Sequence, residues 1–458
     1  MNFLNKALEY FTVKLCKPEY SNFGYVATFF LIVICSFVVL VKTIPSGQAP
    51  DELAHMYRAV SLAHGNIFVK EGDNINEGLL EYYEKYSILP FHPERKAWQI
   101  KNTEDITFSD QYKFTTFVTS AVYFPLSYLP QSIAIYIGEK YNLKVKKVVF
   151  LSRLLNFVAI LSILAMVVKV WKLPLLTCLI LLMPISLFQM STVASDGVHF
   201  ALTALIIALF LRLEREYSNV KYNILLILIF TIVTHRMNMF FLLALPFWLA
   251  WKHEKHRPKL LVLGIILMSA VIAWLLFAIG LSARSGGKGM VEVALYYLFN
   301  PVETIEIFYR TLTNIPLLVF YRDSFVGILG WLDYSVSSSI IYITHFIILF
   351  GMAFLLFKCR NLFSLSHPVP FLLVLAVVGI LSTFIFLLIQ WTPFPCSGVI
   401  EGVQGRYFIN VFIVISFAVS YIDNKISENS MLAHYIVVFY GIYSLYATYG
   451  ATLQRYWQ

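Results

Sequence analysis

The sequence predicts an all-α polytopic membrane protein of about eleven transmembrane helices with a large first external loop, and three observations carry that expectation. Hydrophobic residues fill 59% of the 458 positions and charged residues only 13%. Apolar runs of about 18 residues or more recur, each long enough to cross roughly 30 Å of hydrocarbon. Acid avoids those runs: 12 of the 26 acidic residues lie between positions 44 and 148.

The first run, Phe23 to Val41, is too long for a signal-peptide core and has no small-residue cleavage site after it, so a retained first helix is expected. Further runs lie near 149–168, 174–192, 197–212, 222–235, 238–251, 260–281, 338–357, 369–390, 407–422 and 432–450. Segment 118–138 is broken by Pro125 and Pro130 and dotted with Tyr and Ser, which suits an interfacial hairpin at least as well as a span. A second open segment is 312–330. If neither spans and the N-terminus is cytoplasmic, then Lys169 and Lys172, "RLEREYSNVK" (212–221), "KHEKHRPK" (252–259) and "KCR" (358–360) all fall inside, as the positive-inside rule asks; if both span, the same arrangement is restored beyond 330. The exception is "EKYNLKVKK" (139–147), which this arrangement leaves outside. The chain then reads as one membrane-embedded unit, 1–458, with external loops at 44–148 and 282–337 and smaller external pieces at 193–197, 235–237 and 391–406. The expected location is the plasma (inner) membrane, multi-pass.

Two function classes drop out. The five cysteines form no close pair and no metal-ligand spacing, so neither a disulfide frame nor a zinc site is indicated. The formal charge of +9 is spread without a lysine-arginine block, which fits membrane orientation and contact with anionic membrane lipids and excludes nucleic acid as a partner.

Chemistry-bearing residues sit at the ends of apolar runs. "APDELAHMYRAVSLAHGN" spells a short helix with proline at its first position, and Asp51, His55, Arg58 and Leu62 repeat along one face. Asp51 and Glu52 suit a helix start through the dipole alone. The same placement makes a carboxylate there a ready general base, and two adjacent acids could hold a divalent cation. "MSTVASDGVHF" puts Asp196 with Ser195 and His199 at a membrane boundary, as a helix cap or a used charge. "THRMN" places His235 and Arg236 between two apolar runs, where snorkelling is the plain alternative. "LSARSGGKGMVEV" brings Arg284 and Lys288 among glycines, as a flexible loop or an anion site, without P-loop spacing. "SFVGILGWLDYSVS" holds Asp333, and "SGVIEGVQGRYF" holds Gln404 and Arg406, a guanidinium suited to bidentate grip on phosphate or to anchoring at the interface. Under the preferred topology these acids and arginines converge on one external face.

"PDELAHMYRAVSLAHG", "STVASDG", "SFVGILGWLD" and "GVQGRYF", in that order over residues 50–408, resemble the bacterial membrane family called domain of unknown function 2142. The middle motif carries Gly197 where Ser or Ala would be expected. That family looks like a branch of the GT-C superfamily, polytopic glycosyltransferases that take a sugar from a polyprenyl-phosphate carrier on the outer side of the membrane. The resemblance implies that the acidic pair Asp51 and Glu52 sits at the active site, that Asp196 is the second acidic position, and that Arg406 is the arginine of "QGRY".

The expected activity is therefore an inverting transfer of a sugar from a polyprenyl-phosphate-linked donor to a cell-surface glycan, such as an O-antigen, or a lipid-linked glycan, at the periplasmic or extracellular side. Asp51 and Glu52 are the catalytic candidates. His55, Arg58, Asp196, Arg236, Arg284, Lys288, Asp333, Gln404 and Arg406 are expected to bind substrate. No metal ligand is assigned and no cofactor is required, although a divalent cation fits the acidic pair. A transporter or flippase, or a polymerase, of lipid-linked glycans is the alternative; few mid-depth charges and no inverted repeat speak against transport.

Overall fold

The computed structural model describes residues 23–281, 289–359, 367–421 and 430–458. After α1 (Phe23–Thr43) the long first loop folds into α2 (Glu52–Ala63), β1 (Gly72–Asn76), α3 (Glu77–Tyr86), β2 (Tyr112–Thr116), the single turn α4 (Val118–Ala121), a 3-10 turn at Pro125–Tyr128, and α5 (Leu129–Lys140). The two strands pair antiparallel, Gly72 opposite Thr116 and Asn76 opposite Tyr112. The Asn76 side chain accepts from the Gly78 amide at 3.0 Å and so caps α3. Met56, Val60, Ile75, Leu79, Tyr82 and Tyr128 close a small core of their own.

Segment 118–138 does not run as a continuous helix. Pro125 and Pro130 each stand in the first turn of a new element, and the 12 residues of α5 reach only about 18 Å. The lysines after it, which the loop assignment left outside, are matched by acids of the same loop: Lys144 meets Asp105 at 2.7 Å and Lys146 meets Glu104.

The remaining elements are α6 (Val145–Val170), α7 (Leu175–Leu181), α8 (Pro184–Met190), α9 (Asp196–Arg215), α10 (Asn219–His235), a 3-10 stretch Met237–Leu243, α11 (Ala244–Lys252), α12 (Arg257–Leu281), α13 (Met290–Phe299), α14 (Pro301–Thr313) and α15 (Ile315–Val326). A tiny hairpin of β3 (Ile328–Leu329) and β4 (Tyr334–Ser335) precedes α16 (Ser338–Cys359), α17 (Pro368–Gln390), a 3-10 turn Gly405–Phe408, α18 (Ile409–Val419) and α19 (Ser430–Tyr456).

Among the described residues seven helices are long and apolar enough to cross a membrane: α1, α6, α9, α12, α16, α17 and α19. The other four apolar runs are helical but shorter or broken. Run 174–192 divides at Pro184, and Ser186 Oγ donates to the Ile180 carbonyl at 2.8 Å, satisfying an oxygen near the break. Run 222–235 forms the 17-residue α10, and runs 238–251 and 407–422 each begin as a 3-10 turn. Segment 312–330 contains α15, whose 12 residues are likewise too few to span.

Helix α9 is 94% buried along its apolar stretch, so it is the axis of the bundle; α12 and α16, at 28% and 22%, lie at its rim. At the C-terminal end of α9, Glu214 pairs with Lys252 at 3.0 Å, His253 meets the Leu213 carbonyl at 2.7 Å, and Arg215 lies 4.3 Å over the Trp171 ring. The basic loops at 169–172, 212–216 and 252–256 therefore share one end of the bundle. The N-terminal end of α9 carries the acids and arginines singled out by the sequence.

Candidate functional site

At that end a cavity of about 370 Å³ opens between the first loop and the ends of α9, α10 and α17. Asp51, His55, Asp196, Arg236, Gln404 and Arg406 all line it. Asp51 directly precedes α2, which starts at Glu52 rather than at Pro50. Its backbone is left-handed, with φ 61°, and its side chain makes no capping hydrogen bond. The side chain is free of any capping role: its carboxylate is 53% exposed and stands 3.9 Å from Arg406 Nη2.

Opposite Asp51 two guanidiniums share one buried carboxylate. Arg406 Nη1 donates to Asp196 Oδ2 at 3.2 Å, and Arg236 Nη2 donates to Asp196 Oδ1. Arg236 Nε donates to His199 Nδ1 at 3.0 Å, and Arg406 Nε to Gln404 Oε1 at 2.7 Å. The Tyr407 ring lies 5.3 Å from Arg406 and 6.0 Å from Arg236, within reach of cation–π attraction. Arg236 is turned inward rather than snorkelling. Asp196, 2% exposed and in the first turn of α9, gains from both arginines and from the helix dipole, which together offset the cost of its burial.

Glycines make the site possible. A Cβ at Gly405 would meet the Tyr321 carbonyl oxygen and the Phe325 amide nitrogen at 2.2 Å, so only glycine lets "QGRY" pass under α15. At Gly197 it would meet Ile160 Cδ1 at 2.8 Å and Met190 Cα at 3.0 Å, which is why the small residue of this motif is glycine here.

The family model described as a predicted membrane protein (DUF2142) matches residues 34–416. The chain belongs to that family. No curated protein matches it. The matched stretch runs from within α1 to within α18 and so includes every element of the cavity wall.

In this DUF2142 protein three of the sequence candidates, Glu52, Arg58 and Asp333, lie elsewhere. Glu52, adjacent to Asp51, points the other way and does not line the cavity. It is fully buried; Arg153 Nη2 donates to its Oε1 at 2.9 Å, the Ala49 amide to its Oε2 at 3.1 Å, and the Val193 amide lies at 3.4 Å. Arg153 also holds the Ile44 and Pro45 carbonyls at 2.7 and 2.9 Å. Glu52 therefore braces the end of α1, α6 and the turn that leads to Asp196, away from the cavity. Arg58 shares the face of His55 but lies one turn further on, where it donates to the Tyr123, Asn66 and Ile67 carbonyls at 3.3, 3.0 and 2.6 Å. Its role is to fasten the loop. Asp333 is paired with Arg455 at 2.8 Å and does not line the cavity. Arg284 and Lys288 lie outside the described residues.

The structure adds residues to which the sequence reading gave no role. His235 lines the cavity, and Ser195 Oγ lies 3.1 Å from its Nε2. The Tyr128 hydroxyl bridges His55 Nδ1 at 2.7 Å and His235 Nε2 at 3.3 Å. Tyr123 also lines the cavity and stacks on His235 at 4.6 Å; burial and the Asp51 charge push its hydroxyl up to about 12, so it stays protonated. Among the described residues no group of three or more His, Cys, Asp or Glu is arranged to hold a metal ion.

Burial, with the charges of Arg236 and Arg406, holds the His55 imidazole well below its ordinary value. The unfolded chain takes up a proton at this residue below about pH 6.5 and the folded chain does not, so His55 contributes stability above that pH and loses it as pH falls. His55→Asn, which keeps a polar atom near the Nδ1 position, is expected to lessen the fall in melting midpoint between about pH 6.5 and 5 by one proton's contribution. Equal slopes for the two proteins would contradict this.

Proposed function

We propose that this protein is an inverting membrane glycosyltransferase of the GT-C kind, moving a sugar from a polyprenyl-phosphate donor to a hydroxyl of a surface or lipid-linked glycan. The observation that carries the reading is one exposed carboxylate, Asp51, facing two inward-turned guanidiniums, Arg236 and Arg406, across a cavity at the membrane boundary.

The chemistry follows from those groups. An Asp51 oxygen takes the proton of the acceptor hydroxyl as the hydroxyl oxygen attacks the anomeric carbon. The bond from that carbon to the phosphate oxygen breaks, its electron pair leaves on the phosphate, and Arg236 and Arg406 meet the growing charge. Asp196 aligns both guanidiniums beforehand, so little reorganisation is needed. His55, fixed through Nδ1 by Tyr128, orients the substrates rather than exchanging protons. No cofactor is assigned.

The cavity also has the right reach for a lipid donor. Phe386, Leu387 and Thr383 line it from α17, and Thr383 lies about 10 Å along the helix from Gln390 at its end. An isoprenoid chain can enter at that depth while its phosphate meets the arginines.

The reading places the cavity on the outer face of the plasma membrane, with the basic loops inside. Right-side-out vesicles carrying the protein and a labelled polyprenyl-phosphate sugar are expected to modify glycan added outside. Arg406→Lys keeps the charge but loses the fork, and is expected to weaken undecaprenyl phosphate binding about tenfold. No transfer by sealed vesicles, or unaltered lipid-phosphate binding by that variant, would overturn the assignment.

A further inference from the structure

The wall facing outward is aromatic. Phe91, Trp331 and Trp391 line the same cavity as Asp51, and none belongs to a spanning helix: Phe91 follows α3, Trp331 is in the β3–β4 turn, and Trp391 lies just past α17.

Backbone that side chains rarely adopt sets this wall. Phe91 has φ 61° and Leu332, also lining the cavity, has φ 66°. Among the described residues five non-glycine positions have positive φ; Asp51, Phe91 and Leu332 are three of them, and the other two are asparagines, which tolerate it. Left-handed backbone at Phe and Leu persists only where the surroundings enforce it, and it clusters at ligand sites.

The enforcing group is Asp333. Its Oδ2 accepts from the Phe91 amide at 3.2 Å and its Oδ1 from the Trp331 amide at 3.1 Å. Arg455 clamps the same carboxylate through Nε at 3.0 Å and Nη2 at 2.8 Å. The Trp331 indole donates to the Gly47 carbonyl at 2.8 Å, close to Asp51 in the chain. Trp391 lies over Gly402, where a Cβ would come within 2.4 Å of the ring. Phe91 and Trp391 nevertheless stay 65% and 58% exposed, so these rings are held in place but left uncovered.

We propose that Phe91, Trp331 and Trp391 form the acceptor subsite, a platform that holds a saccharide by its ring faces, with Asp333 and Arg455 as the positioning pair that mounts it. This rests on the transferase reading, which needs a sugar hydroxyl presented to Asp51. The C–H groups on one side of a sugar ring suit the negative face of an indole. The Gln390 and Gln404 amides on the same cavity wall can meet its hydroxyls. The isoprenoid of the donor belongs on the Phe386 and Leu387 side, because the platform lies among loops beyond the end of α17, where hydrocarbon would have to leave the bilayer.

The test uses the full chain in nanodiscs, titrated with oligosaccharides released from the producing cell's own surface polysaccharide and, separately, with undecaprenyl phosphate. Trp391→Ala and Trp331→Ala are each expected to weaken oligosaccharide binding about tenfold, with Trp391→Phe restoring most of it, while lipid-phosphate binding stays within about twofold. In turnover assays Asp333→Asn is expected to raise the acceptor KM more than it lowers kcat, leaving the donor KM in place. Trp391 is exposed, so its alanine variant folds and reads the platform by itself. Failure of the unaltered protein to bind oligosaccharide, unchanged binding by both alanine variants, or loss of lipid-phosphate binding instead would overturn the proposal. Ring-dependent oligosaccharide binding without any sugar transfer would support the platform and remove the transferase reading, so the two fail separately.

Discussion

Asp51→Asn is expected to lower sugar transfer by about a hundredfold to ten-thousandfold, the usual contribution of a positioned general base. The fold should not notice. The Asp51 side chain caps nothing and is half exposed, and asparagine is at least as comfortable as aspartate in left-handed backbone. Removing its negative charge 3.9 Å from Arg406 should leave lipid-phosphate binding intact or somewhat tighter, so the loss falls on kcat rather than on donor affinity. The measurement is single-turnover transfer at saturating donor beside a melting curve of the same preparation. Transfer within a few-fold of the unaltered protein would remove Asp51 from the chemistry.

Glu52→Ala, one residue on, is expected to act on stability. It leaves the Arg153 guanidinium, 4% exposed, without its carboxylate, and breaking such a buried pair from one side costs about 3–5 kcal/mol. The Ala49 and Val193 amides lose their acceptor too, so the turn before Asp196 loosens. A clear drop in melting midpoint is expected, with Glu52→Ala plus Arg153→Met recovering part of it because no buried charge is then left alone. Normal melting with abolished transfer would return Glu52 to the reacting groups.

The contrast between these neighbours shows what the chain discloses by itself. Asp51, Asp196, Arg236 and Arg406 are legible because charge at the end of an apolar run demands a reason. Which of Asp51 and Glu52 turns inward is decided by Arg153, about a hundred residues later, and that arginine inside the run 149–168 was itself a signal of a buried partner. Asp333 misleads for the same reason: its partner, Arg455, lies near the far end of the sequence. The helices were readable from hydropathy, but the break at Pro184 and the 3-10 starts of two runs depend on local packing. Phe91, Trp331 and Trp391 could not be separated in advance from the other aromatic residues, which make up 16% of the chain.

The shared carboxylate of Asp196 has a consequence for the pace of a catalytic cycle on the proposed reading. A sugar-bearing lipid phosphate is a diester with one negative charge, while the lipid phosphate left behind is a monoester carrying nearer two at neutral pH. Two bare guanidiniums would hold that product more tightly than the substrate and stall the next round. By claiming one donor from each arginine, Asp196 limits that retention, so the acid that aligns the grip also lets the spent carrier go.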